Sequence, residues 1–382
     1  MGLVKSLGKL YKLHKFVMCF AHKSPHGRRK VFSYLPLVVL LTSAMLTAIA
    51  CLLNPRIHEA LAVSGRSRVA DTIIIVDKII TTWWFTAIIV VNFCKRERHM
   101  KLLELIRDFE NTIENQFCGD IASKELHSNT VFYLLTLCYM FAVVYQTSTF
   151  LLVLCNSVSI YILIGSFYFI ITYLILLTSV YVANFVLCLA VEVETLNGIS
   201  EWFLIPPPLD DKATDERKYE VFLIITKFIN IIECANEVFG IHLLLTLTLC
   251  TIVTSYYLYF FAWIVVEPSE FAVTLVFSVA DFSLMLPYIF VVILLTRNGQ
   301  VLLTALERTD GIVRDTLMDT STQVALNGCR TIHRGHHQPI RIMAHLYQLD
   351  YRFILYMVNF VATNVIILVQ FKQLEDSHQL GL

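Results

Sequence analysis

The sequence is poor in charged residues. Asp, Glu, Lys and Arg make up 16% of its 382 residues, where about 25% is usual in a soluble protein. A soluble fold of this size needs more polar surface than that to stay in solution. The formal net charge is zero, so the composition gives no sign of nucleic-acid binding.

The common motifs of catalysis are also missing. There is no Gly-rich phosphate loop, no His-Glu-x-x-His and no Gly-x-Ser-x-Gly. His333, His336 and His337 cluster near Cys329, but the irregular spacing and the arginines between them fit a solvated basic loop better than a zinc site. We therefore predict a protein that is not an enzyme and that holds no metal and no cofactor.

Hydrophobic residues, by contrast, make up 57% of the chain, and they are gathered into long runs. A membrane-spanning helix needs about 20 predominantly apolar residues. Seven segments meet that length: Val31–Leu53, Thr72–Cys94, Val131–Leu154, Ser159–Val191, Phe239–Val266, Phe271–Thr296 and Tyr351–Phe371. The sequence thus predicts an all-α membrane protein with seven transmembrane helices. The fourth and fifth are long enough to tilt or to protrude into water.

Lysine and arginine are distributed unevenly between the segments that join these spans. Residues 1–30 hold eight of them and no acidic residue, which predicts a cytoplasmic N-terminus. If the loops alternate, the cytoplasmic segments hold 23 lysines and arginines and the external segments hold 4, which predicts an external C-terminus. The cytoplasmic segments are 1–30, 95–130, 192–220 and 297–350, and the external ones are 54–71, 155–158, 267–270 and 372–382.

A cleaved signal peptide is the alternative interpretation of the first span. An Ala-x-Ala pattern occurs at Ala48–Ala50. The basic region before the span is long for a signal peptide, and the apolar run exceeds a typical signal core. We therefore favour a retained first span.

The predicted cytoplasmic loops show apolar residues at helical spacing. Met100–Gln116 has this pattern, and so does Lys218–Val238, which runs directly into the fifth span. Gly311–Leu326 is a weaker case, and three prolines at 206–208 break the chain after the fourth span. We predict a cytoplasmic helical layer, continuous with the membrane bundle, whose helices pack on each other or on another subunit. It is built from 95–130, 192–238 and 297–350.

Two acidic residues inside the predicted spans raise a functional hypothesis, because ionisable groups are costly in lipid. Asp77 lies one turn into the second span, and Asp281 lies near the middle of the sixth. Asp77 either pairs with Lys, Ser or Thr on a neighbouring helix and only fixes packing, or one of the two faces a water-filled cavity that binds a polar ligand.

Aromatic and polar residues in the outer halves of the spans extend this hypothesis. An interfacial aromatic belt is the alternative, but it explains deep tyrosines such as Tyr168 and Tyr256 less well. An amphipathic pocket for a small organic ligand would give their hydroxyl groups partners. The candidates for such a pocket are Asp77, Trp83, Tyr145, Gln146, Tyr168, Tyr256, Tyr257 and Asp281.

The seventh span carries polar residues on one face. Asn359, Thr363, Ile366, Ile367 and Gln370 fall at three- and four-residue steps, which places them on the same side of a helix. Such a stripe holds helices together through hydrogen bonds, or it lines a pore if symmetry-related copies bring several stripes around one axis. Both interpretations are open from the spacing alone.

The end of this span resembles the signature of the insect gustatory receptor family, which is Thr-Tyr, five apolar residues and then Gln-Phe. Here the match consists of Thr363, five apolar residues, Gln370 and Phe371. Asn364 departs from the signature because it stands where the family has tyrosine.

A second resemblance to the same family lies at the start of the fifth span. Asn236, Phe239 and Gly240 match an Asn-x-x-Phe-Gly-x-x-Leu-Leu stretch that is common in gustatory receptors. Length, seven spans and a cytoplasmic N-terminus agree as well, so the resemblance covers the whole chain.

The resemblance implies a function. Gustatory receptors are similar to insect odorant receptors and the odorant co-receptor, and they assemble as tetrameric ligand-gated cation channels with an outward-facing ligand pocket in each subunit. In the family the last span lines the pore, and cytoplasmic helix extensions anchor the subunits. Carried over by position, the pore and gate residues are Gln370, Ile367, Thr363 and Ile366, and an isoleucine ring could gate by dewetting.

The same resemblance implies partners and organisation. The partners would be a small-molecule tastant, membrane lipids and further receptor subunits in a homotetramer or heterotetramer, without nucleic acid. Length and aromatic content favour a bitter-type or orphan receptor for a lipophilic or aromatic tastant, in the plasma membrane of sensory dendrites. The chain would divide into a cytoplasmic segment 1–30, a seven-helix bundle 31–371 with its pore helix at 351–371, and an external tail 372–382.

Two other seven-span classes are alternatives. A G-protein-coupled receptor would place its N-terminus outside and usually shows Asp-Arg-Tyr after the third span and Asn-Pro-x-x-Tyr in the seventh, and neither motif occurs. A secondary transporter often shows internal repeats and broken helices. No repeat is visible, and Pro287 is the only proline deep in a span.

Overall fold

The structure is a computed structural model that describes residues 68–117, 128–153, 158–204, 211–266, 271–319, 343–344 and 347–379. The first predicted span lies outside these ranges, as do the prolines at 206–208 and the histidines near Cys329.

Helices account for nearly all of the described chain. They are α1 (Arg68–Cys94), α2 (Arg96–Phe117), α3 (Ser128–Val153), α4 (Val158–Leu204), α5 (Asp211–Val266) and α6 (Phe271–Asp319). An antiparallel pair of two-residue strands, β1 (Met343–Ala344) and β2 (Tyr347–Gln348), precedes α7 (Tyr351–Gln379). The predicted all-α fold is confirmed. The second predicted span lies in α1, and the third to seventh lie in α3 to α7.

Four apolar stretches in the described part of the chain are long enough to cross a membrane. They are Tyr168–Leu204, Lys218–Ala262, Phe282–Asp315 and Tyr351–Glu375, and Ile79–Cys94 and Tyr133–Tyr145 are shorter apolar helices. Together these six stretches fall in the helices that contain predicted spans.

Three helices are much longer than a membrane is thick. α4, α5 and α6 have 47, 56 and 49 residues, whereas about 20 residues cross the hydrocarbon core. α5 contains the predicted helix Lys218–Val238 and the fifth span without a break. α6 continues the sixth span to Asp319, so the weaker helix predicted from Gly311 is its last part. The bundle therefore extends beyond the apolar layer on one side.

Buried amide side chains join α4 to α6 along this extension. Asn298 Nδ2 donates to the Ala183 carbonyl at 2.7 Å, and Asn197 Nδ2 donates to the Ala305 carbonyl at 2.9 Å. Thr309 Oγ1 donates to Asn197 Oδ1 at 2.6 Å. Because each of these buried groups finds its partner across the helix interface, the bonds fix the register of the two helices.

α7 is the least buried of the long helices. Only 17% of its most apolar stretch is buried, against 83% for α4. One face packs on the bundle through Phe353, Met357 and Val361. The helix also continues to Gln379, past the predicted end of the span at Phe371. The segment after Phe371 contains Lys, Gln, Leu and Glu and no glycine or proline before Gly381, so it favours helix although it is polar.

The segment just before α7 lies in close contact with α6 at Gly299. A Cβ atom at this position would lie 2.6 Å from Leu349 Cβ and closer still to the Leu349 carbonyl oxygen. Asp350 then caps α7, because its Oδ1 accepts a hydrogen bond from the Arg352 backbone N–H at 3.0 Å. The close contact at Gly299 holds one end of α7 to the bundle, and the cap stabilises the first turn of the helix.

Gly299→Ala is expected to destabilise the protein by about 1–3 kcal/mol, because the added methyl group must displace buried Leu349. Gly311→Ala on the same helix is the matched control, since a Cβ there meets nothing within 4 Å. Replacing a helical glycine with alanine at an open position stabilises by roughly 0.5–1 kcal/mol. Thermal unfolding of the purified protein in detergent would distinguish the two variants. Equal melting temperatures would show that Gly299 tolerates a side chain.

Candidate functional site

Buried polar side chains from several helices meet around Asp77 of α1. The Asp77 side chain is buried, and Tyr168 of α4 donates its hydroxyl hydrogen to Asp77 Oδ2 at 2.9 Å. Thr81 Oγ1 donates to Asp77 Oδ1 at 3.5 Å. Tyr256 of α5 and Tyr288 of α6 lie within electrostatic reach of the same carboxylate. We call the group formed by Asp77, Thr81, Tyr168, Thr172, Tyr256 and Tyr288 the Asp77 cluster.

Thr172 of α4 and Tyr288 of α6 place two further buried hydroxyl groups in the Asp77 cluster, and their residues are 2% and 1% exposed. The two hydroxyl groups lie within reach of each other for a side-chain hydrogen bond. A buried hydroxyl without a partner costs about 1–3 kcal/mol, so this contact stabilises the packing of α4 on α6.

Four predicted pocket residues lie in or beside the Asp77 cluster. Asp77, Tyr168 and Tyr256 are members, and buried Tyr257 lies within electrostatic reach of Tyr168. Asp77 accepts a hydrogen bond from a tyrosine across the α1–α4 interface.

The other predicted pocket residues are placed differently. Trp83 is 52% exposed and points away from the interior of the bundle. Tyr145 is half-buried and stacks on exposed Phe141 with ring centroids 6.4 Å apart. The side chains of Gln146 and Asp281 lie outside those that the structure describes.

Three members of the cluster are absent from the sequence-based set, and helical spacing could have found them. Thr81 and Thr172 each lie four residues after a predicted member, and Tyr288 lies seven residues after Asp281. Residues four or seven apart share one face of a helix.

The polar stripe of α7 lies on the face opposite the packed one. Its five residues, Asn359, Thr363, Ile366, Ile367 and Gln370, are all exposed in the single chain. Thr363 Oγ1 donates to the Asn359 carbonyl at 2.9 Å. Asn364, beside the stripe, donates to the Phe360 carbonyl at 2.9 Å. These two bonds stay within α7, so they do not hold it to another helix.

Aromatic residues of α5 connect the Asp77 cluster with α7. Tyr259 and Phe260 pack against each other with ring centroids 5.5 Å apart. Leu368 and Val369 of α7 pack on this pair, and so does Tyr256, which belongs to the Asp77 cluster. One stretch of α5 therefore contacts both regions. We call Tyr256, Tyr257, Tyr259 and Phe260 the α5 aromatic run.

Aromatic rings enclose His99 of α2 at the opposite end of the bundle. His99 is buried, and its Nε2 atom lies 3.3 Å from the Tyr181 hydroxyl. Phe239 meets the His99 ring edge-on at 5.7 Å and packs on Phe185 at 5.0 Å between centroids. Phe239 belongs to the second family resemblance, where Gly240 is also buried and Asn236 half-buried. Through these ring contacts, Phe239 packs α5 against α2 and α4.

The protein is expected to lose stability in acid through His99. Burial lowers the pKa of His99 to about 4, whereas an unfolded histidine binds a proton near pH 6.5. Between these pH values the unfolded state binds more protons, so stability falls as the pH is lowered from about 6.5 to about 4. Melting temperatures of the purified protein and of His99→Phe across this range would test this. If the variant keeps the full pH dependence, another group causes it.

Metal ligands do not gather anywhere in the described ranges. No group of three or more His, Cys, Asp or Glu residues there could hold a metal ion. The absence of a metal and of a cofactor remains a prediction, because the histidines near Cys329 lie elsewhere in the chain.

Comparison with known proteins identifies a family and a similar fold. A family model described as 7tm Chemosensory receptor matches residues 10–375. The olfactory receptor OR5 from the insect Machilis hrabei, in complex with eugenol, is similar with a TM-score of 0.68 and 11% identity, over 97% of this chain and 100% of that chain. A second structure of OR5 has a TM-score of 0.62 and 10% identity over the same shares. At such low identity the likeness concerns the fold. No curated protein sequence matches this chain significantly.

Proposed function

Because the chain belongs to the 7tm chemosensory receptor family, we propose that it is a gustatory receptor that acts as a ligand-gated, non-selective cation channel. A small-molecule tastant bound at the Asp77 cluster opens a pore lined by α7 from several subunits. The observation that carries this proposal is the placement of α7. It is the least buried long helix, and its open face carries the polar stripe.

The polar stripe favours a pore over a lipid-facing surface. An amide such as that of Gln370 or Asn359 is costly in contact with lipid. Copies of α7 arranged around a common axis would turn these amides toward water instead. Ile366 and Ile367 are 59% and 41% exposed on the same face. A ring of such side chains closes a pore by excluding water. A homotetramer, or a heterotetramer with other receptors of the family, provides this arrangement.

The α5 aromatic run supplies a route from ligand to gate. A ligand shifts a conformational equilibrium only if it binds the two states differently. A tastant at the Asp77 cluster would touch Tyr256, which packs with Tyr259 and Phe260 against α7. A small displacement of this run on binding would move Leu368 and Val369. These residues lie next to the isoleucines of the stripe.

The proposed orientation follows from the basic segments. With a cytoplasmic N-terminus, the Asp77 cluster lies in the external half of the membrane, where a tastant arrives, and His99 lies at the cytoplasmic end. The junction between α1 and α2 is basic, and Arg98 pairs with Glu237 of α5 at 3.0 Å there. Positive residues are typical of cytoplasmic loops. Sensory dendrites are the proposed site, in the plasma membrane.

Recordings of membrane current test this proposal. The chain is expressed in cells, and a tastant panel is applied while the cation current is measured. Gln370→Ala is expected to change conductance or ion selectivity, whereas Val358→Ala, on α7 but off the stripe, is expected to leave both unchanged. Tastant-dependent uptake of substrate without current would instead favour a transporter. A C-terminus that is labelled only from the cytoplasm would contradict the orientation.

A further inference from the structure

We propose that Arg352, at the start of α7, lines the cytoplasmic mouth of the pore, where a ring of its guanidinium groups reduces the entry of cations from the cytoplasm and excludes divalent cations more strongly than monovalent ones. This inference rests on the proposed function for the pore and its orientation. It adds a residue that makes the pore discriminate between cations by charge and by direction.

The first argument is the position of Arg352 on the helix. Arg352 and Gln370 are 18 residues apart in α7, and that number of residues makes about five full turns of an α-helix. The two side chains therefore share one face, about 27 Å apart along the axis. Exposed Tyr356, three residues before Asn359, continues the polar stripe toward Arg352. Because the hydrocarbon core is about 30 Å thick, Gln370 and Arg352 lie at opposite ends of the pore.

The second argument is the surroundings of the Arg352 side chain. Arg352 is exposed in the single chain, and its guanidinium group has no ion pair within the ranges that the structure describes. Asp350 is buried, and it accepts a hydrogen bond from the Arg352 backbone N–H rather than from the guanidinium group. An arginine stays charged at every pH that proteins meet. Its positive charge is therefore available to the water-filled mouth.

The third argument is that this charge does not serve the helix itself. The first turn of α7 contains no acidic residue, although the partial positive charge at a helix N-terminus favours acidic side chains there and opposes basic ones. A basic residue at the cytoplasmic end of a span also acts as a signal for membrane orientation. That role does not depend on the face of the helix, whereas Arg352 lies on the face of the stripe.

The size of the effect follows from Coulomb's law with screening. In a tetramer, guanidinium groups about 10 Å from the axis lower the concentration of monovalent cations at the mouth about threefold in about 0.1 M salt. The energy of a cation in this potential is proportional to its charge, so divalent cations are lowered by the square of that factor, about eightfold. Outward current is carried by cations that enter from the cytoplasm, and it is therefore smaller than inward current.

Current–voltage curves of Arg352→Gln test the inference. The full-length chain is expressed, and tastant-evoked outward and inward currents are compared at equal and opposite voltages with the same salt on both sides. The unchanged receptor is expected to pass less outward than inward current. Arg352→Gln is expected to raise the outward-to-inward ratio about twofold to threefold, and the permeability of calcium relative to sodium about threefold. Arg352→Lys keeps the charge and should behave as the unchanged receptor does.

The matched control is Arg107→Gln, which removes the same charge from an exposed arginine of the cytoplasmic helix α2. This variant should leave both ratios unchanged. Three results would overturn the inference: unchanged ratios in Arg352→Gln, equal changes in Arg107→Gln, or the same changes in Arg352→Lys. The first of these would leave Arg352 as a signal for membrane orientation only.

The unchanged receptor decides the question if Arg352→Gln does not reach the cell surface. Raising the salt on both sides from about 0.1 M to about 1 M shortens the screening length from about 10 Å to about 3 Å. The difference between outward and inward current should then nearly disappear. A difference that persists in high salt, or one that is absent already in low salt, would overturn the inference.

The outcomes separate the inference from the proposed function. If the unchanged receptor gives no tastant-evoked current, the channel itself is contradicted, and the inference is contradicted with it. A tastant-evoked cation current that changes in Gln370→Ala but is indifferent to Arg352→Gln would contradict the inference and leave the channel standing.

Discussion

Asp77→Ala is expected to raise the tastant concentration for half-maximal current by at least about tenfold, with nearly unchanged protein at the cell surface. The variant removes the acceptor for Tyr168 and with it the carboxyl group at the centre of the Asp77 cluster. A tenfold loss corresponds to about 1.4 kcal/mol, which is within the range of one hydrogen bond. Concentration–response curves and surface labelling, measured on the same cells, give both quantities.

Trp83→Ala is the control for Asp77→Ala, since Trp83 lies on the same helix but is 52% exposed and outside the cluster. Its potency should match that of the unchanged receptor. If Asp77→Ala is instead lost from the surface, while the receptors that do arrive respond normally, Asp77 serves packing. That result would favour the interpretation in which the carboxylate only joins α1 to α4.

Ile367→Ala is expected to produce a cation current without tastant, several times larger than that of the unchanged receptor. A gate that works by excluding water depends on the bulk of the apolar ring around the pore axis. Alanine at this position widens the ring and lowers the cost of wetting it. The current is recorded before any ligand is applied and is normalised to the amount of receptor at the surface.

Val358→Ala is the matched control for the gate. Val358 is also an exposed apolar residue of α7, at 57%, but it lies beside the stripe rather than on it. This variant should remain closed without tastant. A leak of equal size in both variants would point to general loosening of α7, and no leak in Ile367→Ala would remove this residue from the gate.

The spans could be predicted from the sequence because a helix that crosses the lipid needs a continuous apolar run of about 20 residues. Thr72–Cys94 lies in α1 and Phe239–Val266 in α5, as their composition predicted. The polar continuations were harder to find. α6 continues to Asp319 and α7 to Gln379. Hydropathy does not predict these polar segments, because their helical structure depends on local helix propensity and on packing between the long helices.

The candidate site was predictable only in part, for a different physical reason. Asp77 stood out because a carboxylate in an apolar run is costly. Trp83 and Tyr288 show where prediction of the site from the sequence fails. In a helix that is apolar on all sides, periodicity does not separate the face toward lipid from the face toward the bundle, so exposed Trp83 was included and buried Tyr288 was missed. Only the packing of the helices shows that Tyr288 of α6 lies near this carboxylate and that Thr172 of α4 lies against Tyr288.

The central claim is that the open face of α7 lines a cation pore, and thiol modification at Gln370 tests it most directly. Gln370→Cys is expressed, a positively charged methanethiosulfonate reagent is applied during the tastant-evoked current, and the unchanged receptor controls for the ten cysteines already present in the chain. If Gln370 lines the pore, the reagent reduces the current in Gln370→Cys and spares it in the unchanged receptor. A Gln370→Cys current that is untouched by the reagent, while the cysteine is shown to be labelled, would contradict the claim.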